Sequence, residues 1–139
     1  MRADEIMTSD VITIRATQSI ADAVAIFAER NLRHLPVLGD GGQLVGMLSD
    51  RDVRSLGLTR AIDAATLRGV EERMAWPVSR AMTGDPATVS PEAELTEVID
   101  CMLENDVGAV PVVDEDRDTL VGIVSYVDVL RAVREAPPD

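Results

Sequence analysis

Two spacings of apolar residues recur along this chain, and they recur in the same order. Ile20, Ala23, Val24 and Phe27 fall at i, i+3, i+4 and i+7, which draws one apolar stripe along a helix. Leu95, Val98, Ile99 and Met102 repeat that spacing, and Asn31 and Asp106 stand where the two helices stop. Ser90-Pro91-Glu92 predicts the entry of the second helix, since proline is tolerated in a first turn. Short extended segments precede both helices: "VITI" (11–14) and "PATV" (86–89). After the first helix come "LPVL" (35–38), a "GDGG" turn (39–42) and "QLVGML" (43–48), which predict a β-hairpin. After the second come "VPVV" (110–113) and "LVGIV" (120–124), flanking the loop "DEDRDT". A short helix follows each hairpin, over 50–56 before Gly57 and over 126–134 before Pro137-Pro138. Each half therefore reads β-α-β-β-α.

The halves also share letters. "VGMLSDRDV" (45–53) and "VGIVSYVDV" (121–129) are the most similar stretch. Met7-Thr8 aligns with Met82-Thr83, Asp10 with Asp85, and Pro36 with Pro111. Internal repetition on this scale means that each half is one supersecondary unit that needs its twin to bury an apolar face. The reading divides the chain into repeat 1 (1–57), a connector (58–78) and repeat 2 (79–139). "AIDAATLRGVEERMAW" (61–76) in the connector has helical character, with Gly69 its weak point.

Composition narrows the function. Aromatic residues are 2% of the chain, so no stacking platform for single-stranded nucleic acid is available. The formal charge of −12 opposes binding to nucleic acid and to anionic membrane surfaces. All 13 basic residues are Arg, which removes a P-loop lysine, a Schiff-base lysine and a lysine base. Cys101 is the only cysteine and His34 the only histidine, so neither an internal disulfide nor a Cys/His metal cluster is expected. The absence of a membrane-length apolar run and of a signal-peptide core predicts a soluble, cytoplasmic protein. The loop Asp114-Glu115-Asp116-Arg117-Asp118 resembles the start of a calcium loop. Its sixth position is Thr119 instead of Gly, and its twelfth is Ser125 instead of Glu. With no Ser-His-Asp set visible either, the chain reads as a non-enzyme.

The chemistry concentrates in the repeated Ser-x-x-Asp, Ser49 to Asp52 and Ser125 to Asp128. One reading is structural: a hydroxyl and a carboxylate at this spacing form a capping box at a helix start. The other is functional. A helix start offers free N–H groups and a positive dipole end, and a carboxylate one turn along can accept from ribose hydroxyls. Hydroxyl plus carboxylate suits a nucleoside monophosphate fragment.

With "IMTSDVITI" and "AMTGDPATV" at the repeat starts, "RHLPVL" and "AVPVV" at the second strands, and "GMLSDRDV" and "GIVSYVDV" at the ends, the chain resembles a tandem pair of cystathionine β-synthase (CBS) domains, a Bateman module. The resemblance implies an α/β (α+β) fold of two β-α-β-β-α repeats packed with pseudo-twofold symmetry. It also implies clefts between the repeats that take adenosine nucleotides or related adenosyl ligands. By it, Asp52 and Asp128 are ribose carboxylates, and Ser49 and Ser125 face phosphate. Ile12-Thr13, Ala87-Thr88, Met47 and Ile123 surround adenine. Arg33, His34 and Arg51 have no counterpart in repeat 2, where Gly108, Ala109 and Val127 stand. Arg suits phosphate through charge-assisted, often bidentate contacts. The expectation is one better phosphate site, joining Asp128 and Ser125 to Arg33, His34 and Arg51.

The resemblance thus implies a stand-alone regulatory module that binds AMP, ADP, ATP or a related compound and signals to an unknown regulated protein. No cofactor is required, and Mg²⁺ enters only with ATP or ADP. A homodimer is expected, joined through apolar faces of the short helices that follow the two nonapeptides. The alternative is a structural dimerisation module with no physiological nucleotide.

Overall fold

In the computed structural model, which describes residues 1–57 and 64–135, the elements follow the predicted order with short additions. The first half gives α1 (Ala3–Ile6), β1 (Ile14–Arg15), α2 (Ile20–Arg30), β2 (His34–Leu38), β3 (Leu44–Ser49) and α3 (Asp50–Arg54). Then come α4 (Ala64–Met74), a single 3-10 turn (Val78–Arg80) and β4 (Thr83–Gly84). The second half adds α5 (Leu95–Asn105), β5 (Ala109–Asp114), β6 (Thr119–Ser125) and α6 (Tyr126–Glu135).

Local chemistry accounts for most of these bounds. Ser19 caps α2: its hydroxyl accepts from the Asp22 amide, and the Asp22 carboxylate accepts from the Ser19 amide. Asn31 and Asp106 end α2 and α5 in the left-handed conformation, each with φ of 52°, and their amides return to Phe27 and Met102 carbonyls. Ile20 and Ala23 on α2, and Val98 and Met102 on α5, are buried, as the stripes require. The α4 helix runs through Gly69, so that residue does not break it. The part of the connector at 58–63 and the predicted stop at Pro137-Pro138 lie outside the described residues.

Two expectations are corrected. α5 starts at Leu95 with Glu94 as its cap residue, so Ser90-Pro91-Glu92 is not the helix entry. The carbonyls of Pro91 and Ala93 instead accept the amides of Asp4 and Ala3. "PATV" is not a strand of several residues: only Val89 bridges, in parallel, to Val112, and of the "VITI" segment only Ile14 enters the two-residue β1, which ends at Arg15. Pro86 has no amide to give, which shortens that edge.

The compact units also divide the chain differently from the repeats. One unit is Ile12–Asp85; the other joins Met1–Val11 to Pro86–Asp139. In the first unit the sheet order is β1-β2-β3-β4, with β1 parallel to β2 and the rest antiparallel. Its core is Ile14, Ile20, Ala23, Leu35, Val37, Leu48, Val53 and Val78. In the second unit, the β5–β6 hairpin is flanked by Val89 on one edge and by Thr8 on the other. Its core is Ala3, Ala93, Val98, Met102, Val110, Val112 and Val124. Thus Met82-Thr83, which opens repeat 2, closes the edge of the repeat 1 hairpin, and Met7-Thr8, which opens repeat 1, closes the repeat 2 hairpin.

Gly46 and Gly122 make this exchange feasible. A Cβ at Gly122 would overlap the Met7 sulfur and lie 3.1 Å from the Thr8 carbonyl oxygen. At Gly46 it would overlap the Met82 sulfur and lie 2.9 Å from the Thr83 oxygen. Only a residue without a side chain lets the two backbones approach this closely.

Candidate functional site

Each hairpin delivers a serine to the mouth of a helix. In the Ile12–Asp85 unit, Ser49 caps α3: its hydroxyl accepts from the Asp52 amide at 3.1 Å, and Asp52 Oδ2 accepts from the Ser49 amide at 2.9 Å. In the other unit, Asp128 Oδ2 accepts from the Ser125 amide at 2.9 Å and from the Ser125 hydroxyl at 3.1 Å. The Asp128 amide lies 3.3 Å from the Ser125 oxygen. The structural reading of Ser-x-x-Asp is therefore realised in both copies.

Capping does not exhaust the carboxylate. In Asp128 the box uses Oδ2, while Oδ1 lies 4.0 Å from Arg131 Nη1, longer than a hydrogen bond. Asp128 lines a cavity of about 270 Å³ between α1 and α6. Its apolar wall is Met1, Ile6 and Ala132, and Glu5, Arg131 and Glu135 complete the charged rim. Residues 128, 131, 132 and 135 share one helix face by their spacing. Arg131, Glu135 and Glu5 were not foreseen as site residues. The helical spacing from Asp128 could have pointed to the first two; Glu5 arrives only through the segment exchange.

The other foreseen residues distribute by unit. Ile12-Thr13, Arg33, His34, Met47, Ser49, Arg51 and Asp52 belong to Ile12–Asp85, whereas Ala87-Thr88, Ile123, Ser125 and Asp128 belong to the other unit. Met47 is buried between Pro36 and Thr83, and the backbone amide and carbonyl of Ile123 are both bonded to Thr8. What Ile123 can offer a ligand is therefore its half-buried side chain. Ala87 and Thr88 are exposed, as are Arg33 and Arg51.

The β2–β3 register sets His34 opposite Ser49, so the imidazole sits near the α3 mouth. Burial pushes its pKa below the ordinary value; Asp50 and Asp52 pull it upward and Arg33 pushes it down, without reversing the shift. The folded protein then binds this proton less readily than the unfolded chain. Stability from His34 is full above about pH 6.5 and is lost as pH falls through that value toward the folded pKa. The stability of the wild type minus that of His34→Asn, followed by chemical denaturation from pH 7.5 to 5, is expected to shrink on acidification. A difference independent of pH would mean that the imidazole is not kept neutral by the fold.

Comparison with known proteins adds to this geometry. The family model for the CBS domain matches residues 3–58 and 78–135. Hypoxic response protein 1 of Mycobacterium tuberculosis is 31% identical over 134 residues, covering 96% of this chain and 85% of that protein. Against the inosine-5'-monophosphate dehydrogenase of Methanocaldococcus jannaschii the identity is 29%, and the chain spans 94% of itself but only 23% of that enzyme. Among solved structures, CBSX2 of Arabidopsis thaliana in complex with AMP superposes with a TM-score of 0.78 at 26% identity, covering 96% of both chains. The CBS domain pair of protein MJ0100, in complex with 5'-methylthioadenosine and S-adenosyl-L-methionine, gives 0.78 at 25% identity and covers 96% of both chains.

Proposed function

This chain belongs to the CBS domain family as a tandem pair, and from that premise we propose that it is a non-catalytic regulatory module that binds adenosyl ligands at Asp128 and Asp52. The observation that carries this reading is the state of Asp128. One of its oxygens is fixed by the helix cap, and the residue lines a cavity. A carboxylate held in this way is oriented in advance to accept from a ribose diol, which lowers the ordering cost of binding. The similar CBS pairs captured with AMP, and with 5'-methylthioadenosine and S-adenosylmethionine, support an adenosyl ligand here. Ser125 and Ser49, with Arg33, His34 and Arg51, are the proposed phosphate-facing groups when the ligand is a nucleotide. Ile12-Thr13, Ala87-Thr88, Met47 and Ile123 are the proposed adenine contacts. Binding biases the module's conformation by its differential affinity for two states, and a regulated protein reads the outcome.

The test is a thermal-shift panel of AMP, ADP, ATP, S-adenosylmethionine and NADH, each with and without Mg²⁺. At a hundred times Kd, a ligand that binds only the folded state adds about 2.7 kcal/mol, a rise of several degrees. A panel in which no compound moves the melting temperature defeats the reading.

Self-association belongs to the same proposal and rests on α6. Tyr126, Val127, Leu130 and Val133 are 43%, 43%, 63% and 54% exposed along that helix, an apolar stripe directed to solvent. α3 presents no equivalent, because its one apolar residue, Val53, is 7% exposed and packed in the core. The expected joint between copies is therefore α6 alone, instead of both short helices. Light scattering should give twice the chain mass at micromolar concentration, and Leu130→Glu should reduce it to one chain. An unmodified protein that is monomeric there would remove the dimer.

A further inference from the structure

We propose that Met7 and Met82 are paired sites of reversible oxidation by a hydroperoxide, and that each sulfoxide loosens the segment that closes the edge of its hairpin. The chain has six methionines, and only these two stand at equivalent places in the two repeats. Each lies over the glycine of a hairpin strand: a Cβ at Gly122 would overlap the Met7 sulfur, and one at Gly46 would overlap the Met82 sulfur. The thioether thus fills the gap that the missing side chain leaves. Met7 packs against the Val110, Val112 and Val124 core, and Met82 against the core of the Ile12–Asp85 unit. Both residues keep part of their surface at solvent, which a small peroxide can reach, whereas Met47 and Met102 are buried.

The chemistry is a two-electron transfer. A sulfur lone pair attacks one peroxide oxygen, the S–O bond forms, the O–O bond breaks, and hydrogen peroxide leaves as water. Two thiols reverse the step through a sulfoxide reductase, becoming a disulfide and releasing water. The product is polar and needs a hydrogen-bond donor where the thioether needed none. The nearby amides are engaged. Met7 donates to the Ala3 carbonyl, and Thr8 and Ile123 donate to each other's carbonyls. Met82 donates to the Val78 carbonyl and Asp85 to that of Val45. The sulfoxide therefore turns out to water. Its glycine is left uncovered, and the segment loses the apolar contact that holds it on the strand.

The experiment treats the full chain with hydrogen peroxide and follows each methionine by peptide mass spectrometry. Met7 and Met82 should gain an oxygen before Met47 and Met102 do. The melting temperature should fall by several degrees. Hydrogen exchange at Thr8, Ile123 and Asp85 should quicken about tenfold, the equivalent of one lost hydrogen-bond contribution. Reduction of the sulfoxides should restore both. Met7→Leu combined with Met82→Leu conserves volume and cannot be oxidised there. It keeps Cys101, Met1 and Met74, so peroxide should leave its melting temperature and exchange unchanged. Native protection in wild-type protein that carries both sulfoxides overturns the proposal. So does oxidation of Met47 and Met102 ahead of the pair, or an equal response of the double variant to peroxide.

Discussion

Valine at position 122 is expected to lower the stability of this protein by about 3 kcal/mol, a large share of the 5–15 kcal/mol typical of a folded domain. The new Cβ would overlap the Met7 sulfur and press within 3.1 Å of the Thr8 carbonyl oxygen. Met7 can turn away, because its side chain has several rotatable bonds. The Thr8 oxygen cannot do so independently, since it accepts the Ile123 amide at 3.0 Å while the Thr8 amide donates to the Ile123 oxygen at 2.9 Å. Relief of the clash therefore means losing that pair, at about 0.5–1.5 kcal/mol for each bond, and loosening the leading segment that buries Ala3. Chemical denaturation measures the total. Hydrogen exchange locates it: the amides of Ala3, Asp4, Thr8 and Ile123 should lose protection together. Adding Met7→Ala should recover only the side-chain part of the loss, so the double-mutant coupling should be smaller than the Gly122→Val effect. Gly46→Val should do the same at Met82 and Thr83, in the other unit. A stability change under about 0.5 kcal/mol at either glycine would show that the close approach is not required.

Asp128→Ala separates the two roles of Ser-x-x-Asp. Loss of the cap at α6 costs about 0.5–2 kcal/mol of stability whatever the ligand. If the carboxylate also grips a ribose, adenosyl affinity falls roughly ten- to a hundredfold, as a charge-assisted contact of about 1.5–3 kcal/mol requires. Asp128→Asn divides them further. Its amide oxygen can still accept from Ser125, so stability should be nearly kept while affinity drops with the lost charge. Calorimetry on both variants, with Asp52→Ala as the matched change in the Ile12–Asp85 unit, reads the outcome. Unchanged affinity in Asp128→Ala would leave the residue as a cap and nothing more.

What could be read from the amino-acid sequence was what is local. The stripes at Ile20–Phe27 and Leu95–Met102, the left-handed stops at Asn31 and Asp106, and both hairpins follow from periodicity and turn chemistry within a few residues. The capping boxes were legible for the same reason, because hydroxyl and carboxylate lie three residues apart. The segment exchange was not. It depends on edges of one or two residues, Thr8 against Ile123 and Thr83 against Met47, which leave no period to detect. The repeated Met-Thr and the repeated glycine were both visible, yet spacing alone does not say that Met7 meets Gly122 and not Gly46. The misplaced start of α5 has the same origin: the carbonyls of Pro91 and Ala93 are taken by Asp4 and Ala3, far away along the chain. The cavity beside Asp128 was hidden likewise, since Glu5 and Ile6 reach it by that route.

The exchange of leading segments also sets an order of events during synthesis. Residues 12–85 are contiguous, so the ribosome supplies everything that unit needs in one uninterrupted run. The other unit joins Met1–Val11 to the Thr119–Ser125 strand, which is made more than a hundred residues later. Residues 1–11 must wait, with Ile6 and Met7 uncovered, until that strand has been made, and that long interval is when a nascent chain is open to wrong partners.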